Sequence, residues 1–203
     1  MKLFKTLFLL WKNPKKVLEK NLLNEFPWYK IFILFTCDGI VFFFYVMKSK
    51  GLFKVEDLPR TFAVIFTLLF LGSIYGLVSN IILGFNIKLT GKLFNGTNNL
   101  KKIYTALAWS FYPLTISVII IIINFILAGI LMINSEQTGV WVLSFIILFL
   151  AIINSILYIW HLILLFIGLK MSQELNKIKT LLNYLFSIIL YGLFYYFFIY
   201  PYF

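Results

Sequence analysis

Long apolar runs alternate with short polar connectors along the chain, and the run lengths match a lipid bilayer. The first run goes from Trp28 to Met47, roughly 20 residues, which at about 1.5 Å per residue covers about 30 Å, one hydrocarbon thickness. A charged connector, Lys48 to Arg60, leads into a second run from Thr61 to about Ile87. This run is longer than one thickness requires, so it is expected to tilt or to emerge from the bilayer at its end. A basic polar stretch, Lys88 to Pro113, precedes a third run from about Pro113 to Ile133 that contains SVIIIIINFILAGILMI. The residues NSEQTG, Asn134 to Gly139, make a short turn, so the third run and the fourth, Trp141 to Gly168, are expected to pair as a hairpin. Lys170 to Lys179 connects to a fifth run, Leu181 to Phe203, whose end YYFFIYPYF is an aromatic belt suited to a membrane interface. The pattern predicts an all-α integral membrane protein, a bundle of five transmembrane helices over about 28–47, 61–87, 113–133, 141–168 and 181–203.

The opening MKLFKTLFLLWKNPKKVLEK has a different period. Phe4, Leu7, Phe8 and Trp11 recur at i, i+3, i+4 and i+7, while Lys5, Lys12 and Lys16 fall on another face, the pattern of an amphipathic helix lying in the headgroup plane. Asn13 and Pro14 read as a cap and first-turn proline restarting a helix. A signal peptide is not expected, because Lys5 interrupts the apolar run and no small-residue cleavage site follows. The chain therefore divides into an interfacial N-terminal segment, 1–25, and a membrane domain, 26–203.

Composition agrees with the pattern: 62% hydrophobic residues, 12% charged ones and a mean hydropathy of +0.97 are too apolar for a soluble core of this size. The net charge of +11 changes the picture only through its placement. Its lysines lie in the connectors, where they orient the chain and contact anionic lipid, and no soluble module is present to carry nucleic-acid binding. Lys2, Lys5, Lys12, Lys15, Lys16, Lys20 and Lys30, with four basic residues of the second connector and three of the fourth, put fourteen on one side. Lys48, Lys50, Lys54 and Arg60 put four on the other, beside Glu56 and Asp57. The imbalance predicts a multi-pass protein of the cell membrane with its N-terminus in the cytoplasm and its C-terminus outside. The sequon-like Asn95-Gly96-Thr97 then faces the cytoplasm and is expected to be unmodified.

Few residues carry candidate chemistry. One cysteine, Cys37, and one histidine, His161, exclude an internal disulfide and a clustered zinc site. Asp38 lies near the middle of the first run, where an ionised carboxylate costs about 2.5–3.5 kcal/mol, so it must face the bundle or a wet cavity, or be protonated. It is a candidate proton- or cation-handling group, with His161 as partner and Asn80, Asn124 or Asn154 as helpers. The alternative is an interhelical hydrogen bond that fixes packing. Gly72, Gly76, Asn80 and Gly84, each four residues apart, form a ridge with little side-chain bulk, suited to close packing within the bundle or to a homo-oligomer interface. No HExxH, GxSxG or phosphate-binding glycine loop occurs, so neither an enzyme nor a cofactor is expected.

Gly91 to Pro113 (GKLFNGTNNLKKIYTALAWSFYP) resembles the Yip1 domain family, whose members carry a glycine-containing polar loop and then an alanine- and aromatic-rich entry to the third span. The matching residues are Gly91, Phe94 and Gly96, followed by Ala106, Ala108, Trp109, Ser110 and Pro113. Trp160 with GLKMSQELNKIKT is similar to the family's exit from the fourth span, and NPKKVLEK, Asn13 to Lys20, looks like the segment before the first span of prokaryotic members. The resemblance implies five spans and a cytoplasmic N-terminus, and it supplies no catalytic residue. Eukaryotic relatives associate with prenylated Rab GTPases in vesicle traffic. The chain departs from them, lacking their long hydrophilic N-terminal region and the acidic DLYGP motif, so Rab binding does not carry over. The abundance of Lys, Asn, Ile and Phe suits a prokaryotic source.

Two functional expectations follow. The first is a non-enzymatic membrane organiser or adaptor whose basic cytoplasmic face, with Lys101, Lys102, Lys12, Lys15 and Lys16 foremost, meets anionic lipid or a protein partner. The second is a small transporter or channel that uses Asp38 and the intramembrane asparagines as a pathway.

Overall fold

Helix is the only way an isolated apolar segment can satisfy its backbone in lipid, and every element of the described residues is helical. The computed structural model describes residues 8–23, 26–49, 58–97, 99–133 and 137–198. Residues 8–12 are helical, and α1 (Pro14–Leu23) follows, with α2 (Trp28–Ser49), α3 (Leu58–Leu93), α4 (Leu100–Ser110), α5 (Leu114–Ile133), α6 (Gln137–Gln173) and α7 (Lys177–Phe198). Among the described residues, five stretches are long and apolar enough to cross a membrane: Trp28–Val46, Ile65–Leu93, Leu100–Asn124, Trp141–Gln173 and Lys177–Phe197. The readings placed on Lys2, Phe4, Lys5 and Leu7, on Lys50, Lys54, Glu56 and Asp57, on 134–136 of the expected turn, and on the aromatic end 199–203 lie outside the described residues.

The residues divide into two compact units, one of 1–33, 77–110 and 162–203 and one of 34–76 and 111–161. The first unit is built on α4. The sequence pattern places a basic polar stretch over Gly91 to Pro113, but Leu100–Ser110 of it is helix, and every residue from Ile103 to Ser110 is buried. Residues 103–110 of this helix can be buried all round because their serine and threonine hydroxyls are spent on the helix's own backbone: Thr105 Oγ1 donates to Lys101 O at 2.8 Å and Ser110 Oγ to Leu107 O at 2.6 Å. Its neighbours are α1, packed against it, Phe26 against Trp109 at 5.3 Å and Trp28 edge-on to Tyr104 at 5.9 Å. Tyr104 lies against the backbone of α3 at Gly84 and donates its hydroxyl to Ile81 O at 2.9 Å. Gly168 of α6 faces Ala106.

α1 and the helical residues 8–12 before it are therefore buried on one side and exposed on the other. Leu10 and Leu18 are fully buried, whereas Phe8, Trp11, Lys12, Lys15 and Lys16 are exposed.

α3 and α6 end alike. At the end of α3, Gly96 N donates to Gly91 O at 2.9 Å and Asn95 N to Lys92 O at 3.2 Å, with Asn95 at φ 62°. At the end of α6, Leu175 N donates to Lys170 O at 3.2 Å, with Glu174 at φ 57°. Both are left-handed helix stops with a non-glycine residue in the left-handed position, which for Glu174 costs roughly 1 kcal/mol. Glu174→Gly is expected to stabilise the first unit by up to about 1 kcal/mol, read as a higher unfolding temperature in detergent by tryptophan fluorescence.

The second unit contains α5 and parts of α2, α3 and α6. Phe111–Pro113 break the third apolar stretch between α4 and α5, and the chain resumes through tight i→i+3 bonds, Leu114 N to Phe111 O at 2.9 Å and Ile116 N to Pro113 O at 3.1 Å. Gly39 of α2 lies against Gly72 and Gly76 of α3, with Gly76 also against Phe35 O and Gly72 3.0 Å, from its would-be Cβ, to Ile40 Cα. Phe42 stacks on Tyr75 beside this crossing, ring centroids 4.8 Å apart.

Candidate functional site

Seven lysines belong to the two connectors that the first unit brings together: Lys88, Lys92, Lys101 and Lys102 on one, Lys170, Lys177 and Lys179 on the other. At about 1.5 Å per residue the 36 residues of α3 and the 37 of α6 each run about 54 Å, well beyond a hydrocarbon core, so their last turns carry these charges out of it. There the ends of the two helices cap each other. Thr97 N donates to Gln173 O at 3.0 Å and Thr97 Oγ1 to Ser172 O at 2.6 Å, satisfying two carbonyls that the end of α6 leaves open. Lys179 Nζ reaches Phe94 O, past the end of α3, at 3.4 Å.

Beneath this clasp the Gln173 side chain is fully buried and donates Nε2 to Ile87 O at 3.2 Å. It fills the space over two glycines: a Cβ at Gly91 would meet Gln173 Oε1 at 2.6 Å and one at Gly96 would meet it at 2.5 Å. Those are the two loop glycines of the sequence pattern, and their function here is to admit an amide. One turn deeper, Thr90 Oγ1 contacts Asn183 Oδ1 and lies 2.7 Å from Ser187 Oγ, tying α3 to α7.

α4 and α7 start at this same clasp, each with an asparagine cap. Asn99 Oδ1 accepts from Lys102 N at 3.1 Å and Asn176 Oδ1 from Lys179 N at 2.9 Å. Each first turn then carries two lysines and no acidic residue. Cations at a helix N-terminus oppose the macrodipole by about 0.3–1 kcal/mol, a cost that an anion close to these amides would offset.

The remaining expected residues fall elsewhere. In the first unit Asn80 is buried, as are Gly84, Ala108 and Ser110, and Trp160 of the second unit is half-buried. In the second unit Pro113 is buried at the α4–α5 break, and Asn124 is half-buried on α5. His161, buried, stacks on Phe111 at 4.8 Å and packs against Tyr158 at 5.9 Å. Asp38 and Asn154 line one cleft with Tyr45 and Tyr158, and Asn154 Nδ2 donates to Tyr45 Oη; His161 is not among the lining residues.

Thr90, Gln173, Asn183 and Ser187 are buried polar positions of this clasp that the sequence pattern does not single out. A signal is present in the fifth run, where Thr180, Asn183 and Ser187, all buried, recur at i, i+3 and i+7 on one face of an otherwise apolar helix.

No curated protein and no solved structure matches the chain, whereas the family model described as the Yip1 domain matches residues 8–199. The match spans all five apolar stretches and both halves of the lysine-bearing clasp, so the chain is a multi-pass membrane protein that belongs to the Yip1 domain family.

Proposed function

We propose that this protein is a non-enzymatic membrane organiser of the cell membrane, N-terminus in the cytoplasm, whose basic connectors bind anionic lipid headgroups and present them, or the protein itself, to a partner. The observation that carries this reading is the pair of asparagine-capped helix starts, α4 and α7, each bearing two lysines and joined through Thr97, Ser172 and Gln173. Phosphate oxygens of a headgroup supply the negative charge that suits both the lysines and the amides of the first turns. The exposed lysines of 8–23, with Phe8 and Trp11 available to the acyl boundary, extend the same surface.

The test is lipid selectivity in nanodiscs. Purified protein in discs of mixed phosphatidylcholine and phosphatidylglycerol is expected to retain phosphatidylglycerol through detergent extraction, scored by mass spectrometry. Replacing Lys101, Lys102, Lys177 or Lys179 with Gln is expected to lower that preference about fivefold per lysine, the equivalent of about 1 kcal/mol each. Wild-type protein that extracts both lipids in proportion to the disc composition would remove the basis for the reading.

A further inference from the structure

We propose that the cleft of the second unit binds a protonated amine carried on an apolar body. The cleft has a volume of 520 Å³, within the range that holds a small organic ligand. Its floor is made by the buried side chains of Val41, Leu114 and Asn154, and its rim by the exposed Phe42, Tyr45 and Tyr158. Asp38, half-buried, is its carboxylate.

Each part of that composition constrains the ligand. An aspartate in a membrane-spanning helix calls for positive charge or a proton, and the faces of Tyr45, Tyr158 and Phe42 favour a cation over an anion or a neutral group. Asn154 donates its amide to Tyr45 Oη, while its Oδ1, buried, has no hydrogen-bond partner among the described residues, so the floor retains accepting capacity for an N–H. A metal ion fits less well. Calcium asks for six to eight oxygens, most of this wall is hydrocarbon, and no group of three His, Cys, Asp or Glu occurs among the described residues. The rim is apolar and lies on membrane-spanning helices, so the ligand arrives from lipid and must itself be lipophilic. A primary ammonium on an alkyl chain meets all of these conditions, whether free or as the headgroup of an aminophospholipid.

The site is independent of the lysine-bearing connectors, and its test does not involve them. Protein in phosphatidylcholine nanodiscs is titrated with dodecylammonium and, in parallel, with dodecanol, binding being read from tryptophan fluorescence and from the shift in unfolding temperature. Saturable binding of the amine, with dodecanol at least tenfold weaker, is expected. Asp38→Asn, which keeps size and hydrogen bonding, is expected to weaken the amine about tenfold and leave dodecanol unchanged. Ser155→Phe, placed at an exposed position of the cleft wall, fills the space without touching Asp38 and is expected to abolish saturable binding in a protein that unfolds at the wild-type temperature. Equal binding of amine and alcohol, or amine binding that survives both substitutions, overturns the proposal. In discs containing phosphatidylethanolamine, competition with dodecylammonium identifies the headgroup amine as the ligand, and its absence identifies a free amine; either result upholds the site.

Discussion

Gly39→Ala is expected to cost more than about 3 kcal/mol, the largest effect of any single methyl group added to this protein. A Cβ at Gly39 falls inside the van der Waals radii of Gly72 O and of Gly76 N and Cα. These are backbone atoms of α3 and cannot rotate away as a side chain would, so relief requires α2 and α3 to separate. Separation forfeits the stacking of Phe42 on Tyr75 and the dispersion contacts along the crossing, which in lipid are most of what holds two helices together. Overpacking ordinarily costs about 1–3 kcal/mol because neighbours adjust; here the neighbours are two helices. Gly76→Ala is expected to behave in the same way, since its Cβ would lie 2.7 Å from Gly39 Cα and closer still to Phe35 O. Gly72→Ala is expected to be milder, about 1 kcal/mol, because its nearest contact is 3.0 Å. Unfolding temperature in detergent, followed by circular dichroism, orders the three. A Gly39→Ala protein that melts with the wild type would mean that the helices do not approach this closely.

That crossing shows what the sequence carried and what it left out. The ridge of Gly72, Gly76, Asn80 and Gly84 was visible because small residues spaced by four along an apolar helix are what close backbone approach in lipid requires. Its counterpart, Gly39, was not, because a lone glycine has no period to reveal it. The ridge also serves two different neighbours: Gly72 and Gly76 meet α2, while Gly84 meets the ring of Tyr104 on α4. A sequence pattern cannot divide a stripe between partners.

The same limit explains α4. Five apolar stretches are legible from hydropathy and length alone, and the described residues contain five. Gly91 to Pro113 reads as a basic polar stretch because its glycines permit a turn, Lys101 and Lys102 suit the headgroups and Pro113 marks entry into lipid, and the 11-residue helix Leu100–Ser110 inside it is too short to declare itself by period. What makes it a helix is tertiary: Tyr104 reaching Ile81 O, Trp109 against Phe26, Ala106 against Gly168. The apolar stretch long enough to span accordingly begins at Leu100, ahead of the expected Pro113. The clasp was equally hidden. Thr97 looked like part of a glycosylation sequon, and Gln173 like one polar residue of a connector, yet the hydroxyl and amide of Thr97 close the end of α6, and Gln173 accounts for both loop glycines.

Gly91→Val and Gln173→Ala are expected to be non-additive, and the size of the coupling measures the clasp. Alone, Gly91→Val drives its side chain into Gln173 Oε1, which a Cβ would already approach to 2.6 Å. The amide must leave, losing its bond to Ile87 O and disturbing the Thr97 bonds to Ser172 O and Gln173 O; about 2–3 kcal/mol is expected, from one buried hydrogen bond left unmade and the strain of overpacking. Gln173→Ala alone leaves a hole over Gly91 and Gly96 and is expected to cost about 2 kcal/mol. In the double variant the valine occupies the space that the amide vacates, and the buried Oε1, which has no hydrogen-bond partner among the described residues, is gone as well. The pair is therefore expected to be more stable than the sum of its parts by about 1–2 kcal/mol, within the range of contacting residues. Because the clasp also sets the starts of α4 and α7, the single variants are expected to lose phosphatidylglycerol preference although no lysine has changed, and the double variant to recover part of it. Strict additivity in stability, with lipid preference intact throughout, would show that Gln173 does not bridge the two glycines and that the lysine-bearing ends are held together by other means.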